Sequence, residues 1–182
     1  MMIRPWAFAA TWLVVAATLH PPLATADADP PLKDIEARGG VVKKNAAGEV
    51  VEINLASANF GDDAIPLLAE FPQLQTLALW GAGITDAGLQ KLPPLNHLET
   101  LVLENTEITN NGIDALQKFP GLRVVNLRRS TYLDDGALAK LSEMAGLEQL
   151  ILLYNNFTDA GLAHLKKLQK LKVLDLRGCA LI

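Results

Sequence analysis

Few side chains in this sequence could do chemistry. Beyond residue 26 the candidates are His97 and His164, the single cysteine Cys179, and two adjacent acid pairs, Asp62-Asp63 and Asp134-Asp135. Hydrolysis needs a nucleophile, a base and an orienting group converging on one pocket, and neither histidine stands where such partners are implied. No third ligand lies near either at a metal-binding interval, so both are read as surface residues. The acid pairs open apolar helical series, where a carboxylate interacts well with free backbone N–H groups; neither has the D-x-D-x-D-G loop of a calcium site. Gly81 and Gly83 make a G-x-G that lacks the third glycine of a dinucleotide site. Cys179 has no partner for an internal disulfide and reads as a small buried side chain. The inventory predicts no catalytic residue, no cofactor and no metal; the expectation is a protein that binds, not an enzyme.

Composition narrows the partner. The 182 residues are 50% hydrophobic, with 20 acidic and 16 basic side chains and a formal charge of −4, which suits one soluble domain and excludes disordered and collagen-like chains. Arg4 is the sole charge in the first 26 residues, so the remainder is one unit more acidic than the whole. Nucleic acid is excluded as a partner because phosphate binding needs a basic face. Aromatic residues make up 5%, too few for a platform on which bases stack.

The elements that must position any binding residues come from a repeat. Leu74, Leu98, Leu122, Leu147 and Leu171 are equivalent starts with Val50 in front, at spacings of 24, 24, 24, 25 and 24 residues. A fixed period of this length means a solenoid. Each copy opens L-x-x-L-x-L, as in Leu74, Leu77 and Leu79 or Leu98, Leu101 and Leu103, with Val125 replacing one leucine in the third of these. Alternation around the second and third positions predicts a short strand with one buried face. A small or polar residue follows (Ala58, Ala82, Thr106, Ser130, Asn155, Cys179), then an apolar corner residue (Phe60, Ile84, Ile108, Leu133, Phe157, Leu181). Thr85-Asp86, Thr109-Asn110 and Thr158-Asp159 then read as helix starts. Apolar residues such as Leu89, Leu92 and Leu95 keep one face of a short helix on the strand layer. Ala64, Gly88, Gly112, Ala137 and Gly161 align, and their small side chains predict a close approach of helix to strand. The extra residue near Thr131-Tyr132 predicts a local bulge that leaves the stack intact.

The pattern L-x-x-L-x-L-x-x-[N/C/T/A]-x-[I/L/F]-T-D-x-G-L resembles the leucine-rich repeat family, in the short-helix variety of ribonuclease-inhibitor-like and cysteine-containing repeats. The resemblance covers residues 50–182, about five and a half copies. It implies an α/β horseshoe with a parallel concave sheet and short helices on the convex side. The last copy stops after its strand and first turn, so the family's closing helix is missing from the sequence. Intracellular roles known for relatives, in ubiquitin ligases and nuclease inhibition, do not transfer, because fold does not dictate function.

Ahead of the repeats, residues 27–49 read as a tether and N-terminal cap, with a helical turn or two from Leu32 and a hairpin joining Val41-Val42-Lys43-Lys44 to Glu49-Val50-Val51. Residues 1–26 have the layout of a secretory signal peptide: Arg4, an apolar run from Trp6 to Leu19, two prolines, and Ala24-Thr25-Ala26. A run of about 14 residues is short for a membrane span, and a retained anchor is the alternative. The chain as a whole resembles exported bacterial leucine-rich repeat proteins, which implies a secreted or periplasmic location with no stable membrane span after processing.

A parallel stack presents its outward side chains in rows spaced about 4.8 Å apart. One row is Ala56, Trp80, Glu104, Arg128, Leu153 and Arg177; beside it run Ser57, Gly81, Asn105, Arg129, Tyr154 and Gly178; a third contains Val102, Asn126 and Ile151. Exposed apolar and aromatic area of this kind marks interaction sites, and Trp, Tyr and Arg dominate binding hot spots. Trp80, Glu104, Arg128, Arg129, Ile151, Leu153, Tyr154 and Arg177 are therefore the candidate binding residues for a protein or peptide. The plainer alternative has Glu104 and Arg128 merely pairing laterally, and Ile151 and Leu153 supporting neighbouring strands. A second functional expectation is structural: the open C-terminal strand has unpaired backbone groups and could support end-to-end self-association.

Overall fold

The structure, a computed structural model, describes residues 30–182; the expected signal segment lies outside the described residues. A helix α1 (Pro30–Ala37) precedes the strands β1 (Val41–Lys44), β2 (Val50–Asn54), β3 (Thr76–Trp80), β4 (Thr100–Glu104), β5 (Val124–Asn126), β6 (Gln149–Ile151) and β7 (Val173–Asp175). They form one seven-stranded sheet in sequence order. β1 runs antiparallel to β2, and every later pair is parallel. This is a leucine-rich repeat solenoid. The leucine triplets set its register: Ile53, Leu77, Leu101, Val125, Leu150 and Leu174 are successive partners across the sheet. Leu77, Leu101, Val125 and Leu150 are fully buried, and each such side chain contributes about 1.5–3 kcal/mol by leaving water.

The corner residues Phe60, Ile84, Ile108, Leu133 and Phe157 are buried as well, where the chain leaves the sheet. The last copy differs. Leu174 and Leu181 are 40% and 57% exposed, because no later copy in this sequence packs on them. The extra residue of the fourth copy is taken up by Thr131 and Tyr132, both exposed, while Val124 still pairs with Gln149. The stack is unbroken.

Return segments are short helices, α2 (Asp86–Lys91), α3 (Asn110–Ile113), α4 (Asp135–Leu141) and α5 (Asp159–Leu162), interspersed with 3₁₀ turns at Ile65–Glu70, Asp114–Lys118 and Ala163–Lys167. Thr85, Thr109 and Asp134 cap their helices by accepting from the backbone N–H two residues on. Below the strand ends, Ser130 Oγ and Asn155 Nδ2 donate to the carbonyls of Leu103 and Leu127 at 3.0 and 2.7 Å. Cys179 occupies the equivalent place, half-buried, and its Sγ donates to the Leu152 carbonyl at 3.1 Å. It is thus a donor in this ladder and not simply the buried apolar filler expected of it.

A second ladder joins the helix starts. The carboxylate of Asp62 accepts from both the N–H and the hydroxyl of Thr85, one copy later, at 2.9 and 2.5 Å. Asp86 does the same for Thr109, and Asp135 for Thr158. This ladder corrects the expected reason for the small residues. A Cβ at Gly88, Gly112 or Gly161 would overlap the carboxylate of Asp62, Asp86 or Asp135, so the space is reserved for the preceding copy's acid and not for close packing of helix on strand.

One rung is inverted. Asp134 stands where Thr85, Thr109 and Thr158 stand in other copies, and facing it is Asn110 where the other copies have Asp. Asn110 Nδ2 donates to Asp134 Oδ1 at 2.5 Å, and Asn110 Oδ1 accepts from the Asp134 N–H at 3.2 Å. An aspartate at 110 would place two carboxylates at hydrogen-bonding distance. Asn110→Asp is therefore expected to lower stability by about 1–2 kcal/mol, the cost of an unmet polar pair, and Asp134→Thr on that background is expected to restore most of it. Urea unfolding of the two single variants and the double variant measures the coupling.

The Thr158 hydroxyl, then its N–H, hold the Asp135 carboxyl below its ordinary pKa, with His164 adding a smaller contribution in the same direction. A depressed folded-state pKa gives stability that is complete above the unfolded value and is lost as pH falls through the folded one. Thr158→Val is accordingly expected to cost about 1 kcal/mol at neutral pH. The difference from the parent chain should shrink in strong acid, as followed by thermal melts across the acid range.

Candidate functional site

The exposed side of the sheet is built from the residues that alternate with the buried triplets. Trp80 and Glu104 are register partners at the ends of β3 and β4. Glu104 Oε1 lies 3.4 Å from Arg128 Nη1. The guanidinium of Arg128 sits 5.7 Å from the centroid of the Tyr154 ring, and that of Arg129 sits 5.4 Å from the same centroid. Arg177, on the next copy, folds back on Asp175 with Nη2 to Oδ2 at 2.6 Å. That hydrogen bond holds the Asp175 carboxyl below its ordinary pKa. Trp80, Glu104, Arg128, Arg129 and Tyr154 thus form one strip across four copies.

Not every candidate is equally presented. Trp80 and Tyr154 are 44% and 46% exposed, and Arg129 and Arg177 are exposed too. Val102, Ile151 and Leu153, expected to put apolar area into water, are only half-buried, because neighbouring strands cover their flanks. Glu104 and Arg128 are also half-buried and pair laterally, as the plainer reading has it.

The backbone adds an observation that side-chain rows alone do not carry. Gly81, Asn105, Arg129, Tyr154 and Gly178 hold equivalent places just past the strands, and all five have positive φ, at 98°, 56°, 55°, 58° and 75°. The stack demands a left-handed turn there. Glycine adopts it freely and asparagine is among the residues that tolerate it, whereas each non-glycine residue in this region costs about 1 kcal/mol or more. Arg129 and Tyr154 occupy such positions with large side chains facing solvent. Gly178 is required for a further reason: a Cβ there would overlap the Tyr154 ring. The ring lies over one copy and beneath the guanidiniums of another. The signal was in the sequence, since Gly81 and Gly178 share a row with Arg129 and Tyr154.

The flanks are balanced electrostatically. Lys43 pairs with Glu52 at 2.9 Å, and Glu148 accepts from Lys172 at 2.6 Å with Arg123 at 3.4 Å. Lys172, then Arg123, hold the Glu148 carboxyl below its ordinary pKa. His97 and His164 are exposed, and Asp62 and Asp135 are engaged with threonines of the following copies.

Residues 95–116 match the family model described as Leucine Rich repeat. The repeat register and the strand order place that match within a solenoid of the leucine-rich repeat fold. No curated protein matches it. Solved structures similar to it include the Arabidopsis receptor kinase HAESA in complex with the peptide hormone IDA and the co-receptor SERK1, at 20% identity and a TM-score of 0.49 over 76% of this chain. A second structure, the HAESA ectodomain with an N-terminally extended IDA peptide, has 21% identity and a TM-score of 0.47 over 76% of this chain. The complex PEPR1-AtPEP1 has 16% identity and a TM-score of 0.39 over 75% of this chain. The chain spans 28%, 28% and 22% of the lengths of these three.

Backbone strain at Arg129 gives a stability test of its role. Arg129→Gly removes the left-handed penalty of about 1 kcal/mol and forfeits an exposed cation–π contact of about 0.5–1 kcal/mol. The expected outcome is an unfolding midpoint in urea equal to or above that of the parent chain. A fall of more than about 1 kcal/mol would show that Arg129 is retained for the fold.

Proposed function

We propose that this protein is a non-catalytic binding module, exported from the cytoplasm, whose concave sheet holds a segment of another protein or a peptide. One observation carries the reading: an aromatic and guanidinium strip from Trp80 to Tyr154 in which two large solvent-facing side chains are kept at backbone positions that favour glycine. Strained backbone concentrates at binding and catalytic sites, and the residue types are those that supply most interface energy. Trp80 and Tyr154 act as the apolar anchors, Glu104, Arg128, Arg129 and Arg177 supply polar contacts, and Ile151 and Leu153 form a half-buried apolar floor. Export to the periplasm or the exterior is supported by the layout of residues 1–26, with its apolar run and small residues at 24–26.

Selection of a randomised peptide library on the whole chain tests this reading. Selected peptides should lose at least about tenfold in affinity to Trp80→Ala and to Tyr154→Ala, the effect of removing a hot-spot anchor. Lys118→Ala, on a convex 3₁₀ turn, should change nothing. Selected peptides that bind both anchor variants as tightly as the parent would remove the concave face as the site.

A further inference from the structure

We propose that Arg128, Arg129 and Tyr154 form a carboxylate-recognising subsite, which takes an acidic side chain from an extended segment of the partner protein. The inference deepens the concave-face reading and rests on it.

Arg129 carries the argument. It is exposed, and among the described residues no carboxylate pairs with it. Its guanidinium is held against the Tyr154 ring, which fixes a side chain that would otherwise sweep freely through water. Arg128 is held by the same ring from the neighbouring position. Its Nη1 faces Glu104, but its Nε is buried and has no hydrogen-bond partner. That buried atom is closed to an incoming ligand, so among the described residues the exposed Arg129 guanidinium is the one left without a carboxylate and supplies the free donors. Arg177 is already occupied by Asp175 through three short contacts from Nε and Nη2.

The local charge fits. Around Tyr154, the guanidiniums of Arg128, Arg129 and Arg177 face two carboxylates, Glu104 and Asp175, which leaves one positive charge on a chain of net charge −4. Planar guanidiniums donate paired hydrogen bonds to a carboxylate, a geometry that a lysine cannot supply. The site is therefore complementary to an acidic group, and the strip that contains it is extended. Trp80 lies three strands from Tyr154, about 14 Å at sheet spacing, and an extended chain advances about 3.3 Å per residue. The partner segment would then carry its acid about four residues from an apolar side chain that rests on Trp80.

The probes that test this are acetyl-Glu-Gly-Gly-Gly-Leu-amide and its counterpart with Gln in place of Glu. Both have blocked ends, so the side-chain carboxylate is the one difference. They are titrated into the whole chain while the arginine Nε–H signals are followed by NMR. The Glu peptide should bind at least about tenfold more tightly than the Gln peptide and should shift the Arg128 and Arg129 signals. Arg129→Gln should bring the ratio close to one. Trp80→Ala should weaken both peptides and leave the ratio intact. Equal binding of the two peptides, absence of binding by either, or an unchanged ratio in Arg129→Gln would overturn the subsite. Inorganic phosphate moving the same signals as strongly as the Glu peptide would overturn it too, by assigning the pair to a free anion. In each of these cases the library selection against Trp80→Ala still decides the wider reading independently.

Discussion

Everything in this molecule follows from the requirement that each copy meet its neighbours at one level. Parallel strands exchange backbone hydrogen bonds only when the aliphatic triplets are in step, and a slip of one residue would turn every leucine to the opposite face. The core, the two polar ladders and the outer rows all inherit that registration. Where the spacing lengthens to 25, the surplus is expelled at Thr131 and Tyr132 and the pairing of Val124 with Gln149 survives. The same requirement forces a left-handed turn after the strands in most copies, whatever residue is present.

The ladder at the helix starts converts registration into polar chemistry. An acid in one copy serves the threonine in the next, and the glycine beside that threonine keeps the space open for the acid. The inverted rung at Asn110 and Asp134 shows that complementarity, and not any single residue type, is what the contact needs. The first copy has Gly61 at the threonine position, and among the described residues it is preceded by α1 and β1, which offer no aspartate rung.

Much of this was legible in the sequence because leucine spacing reports strand position and burial together. The triplets from Leu77 to Leu150, the buried corners and the tolerated insertion all follow from counting. Three features did not. Partners such as Asp135 and Thr158 lie 23 residues apart, a distance that local reading of helix caps does not connect. The half-burial of Ile151 and Leu153 depends on how far neighbouring strands reach over them, which alternation does not encode. The positive φ at Arg129 and Tyr154 was hidden because neither residue type advertises it, although the glycines sharing their row do. The candidate strip was visible as a row of residue types; its ring-to-guanidinium contacts were not.

The account holds that the fold tolerates strained backbone at Arg129 and Tyr154 so that their side chains can face a partner. A crystal structure of the chain with a library-selected peptide bound tests this most directly. The peptide should lie extended across the strands between Trp80 and Tyr154, with Arg129 and Tyr154 still at positive φ and in contact with it. A peptide seated on the convex turns, with the ring and guanidiniums untouched, would contradict the account.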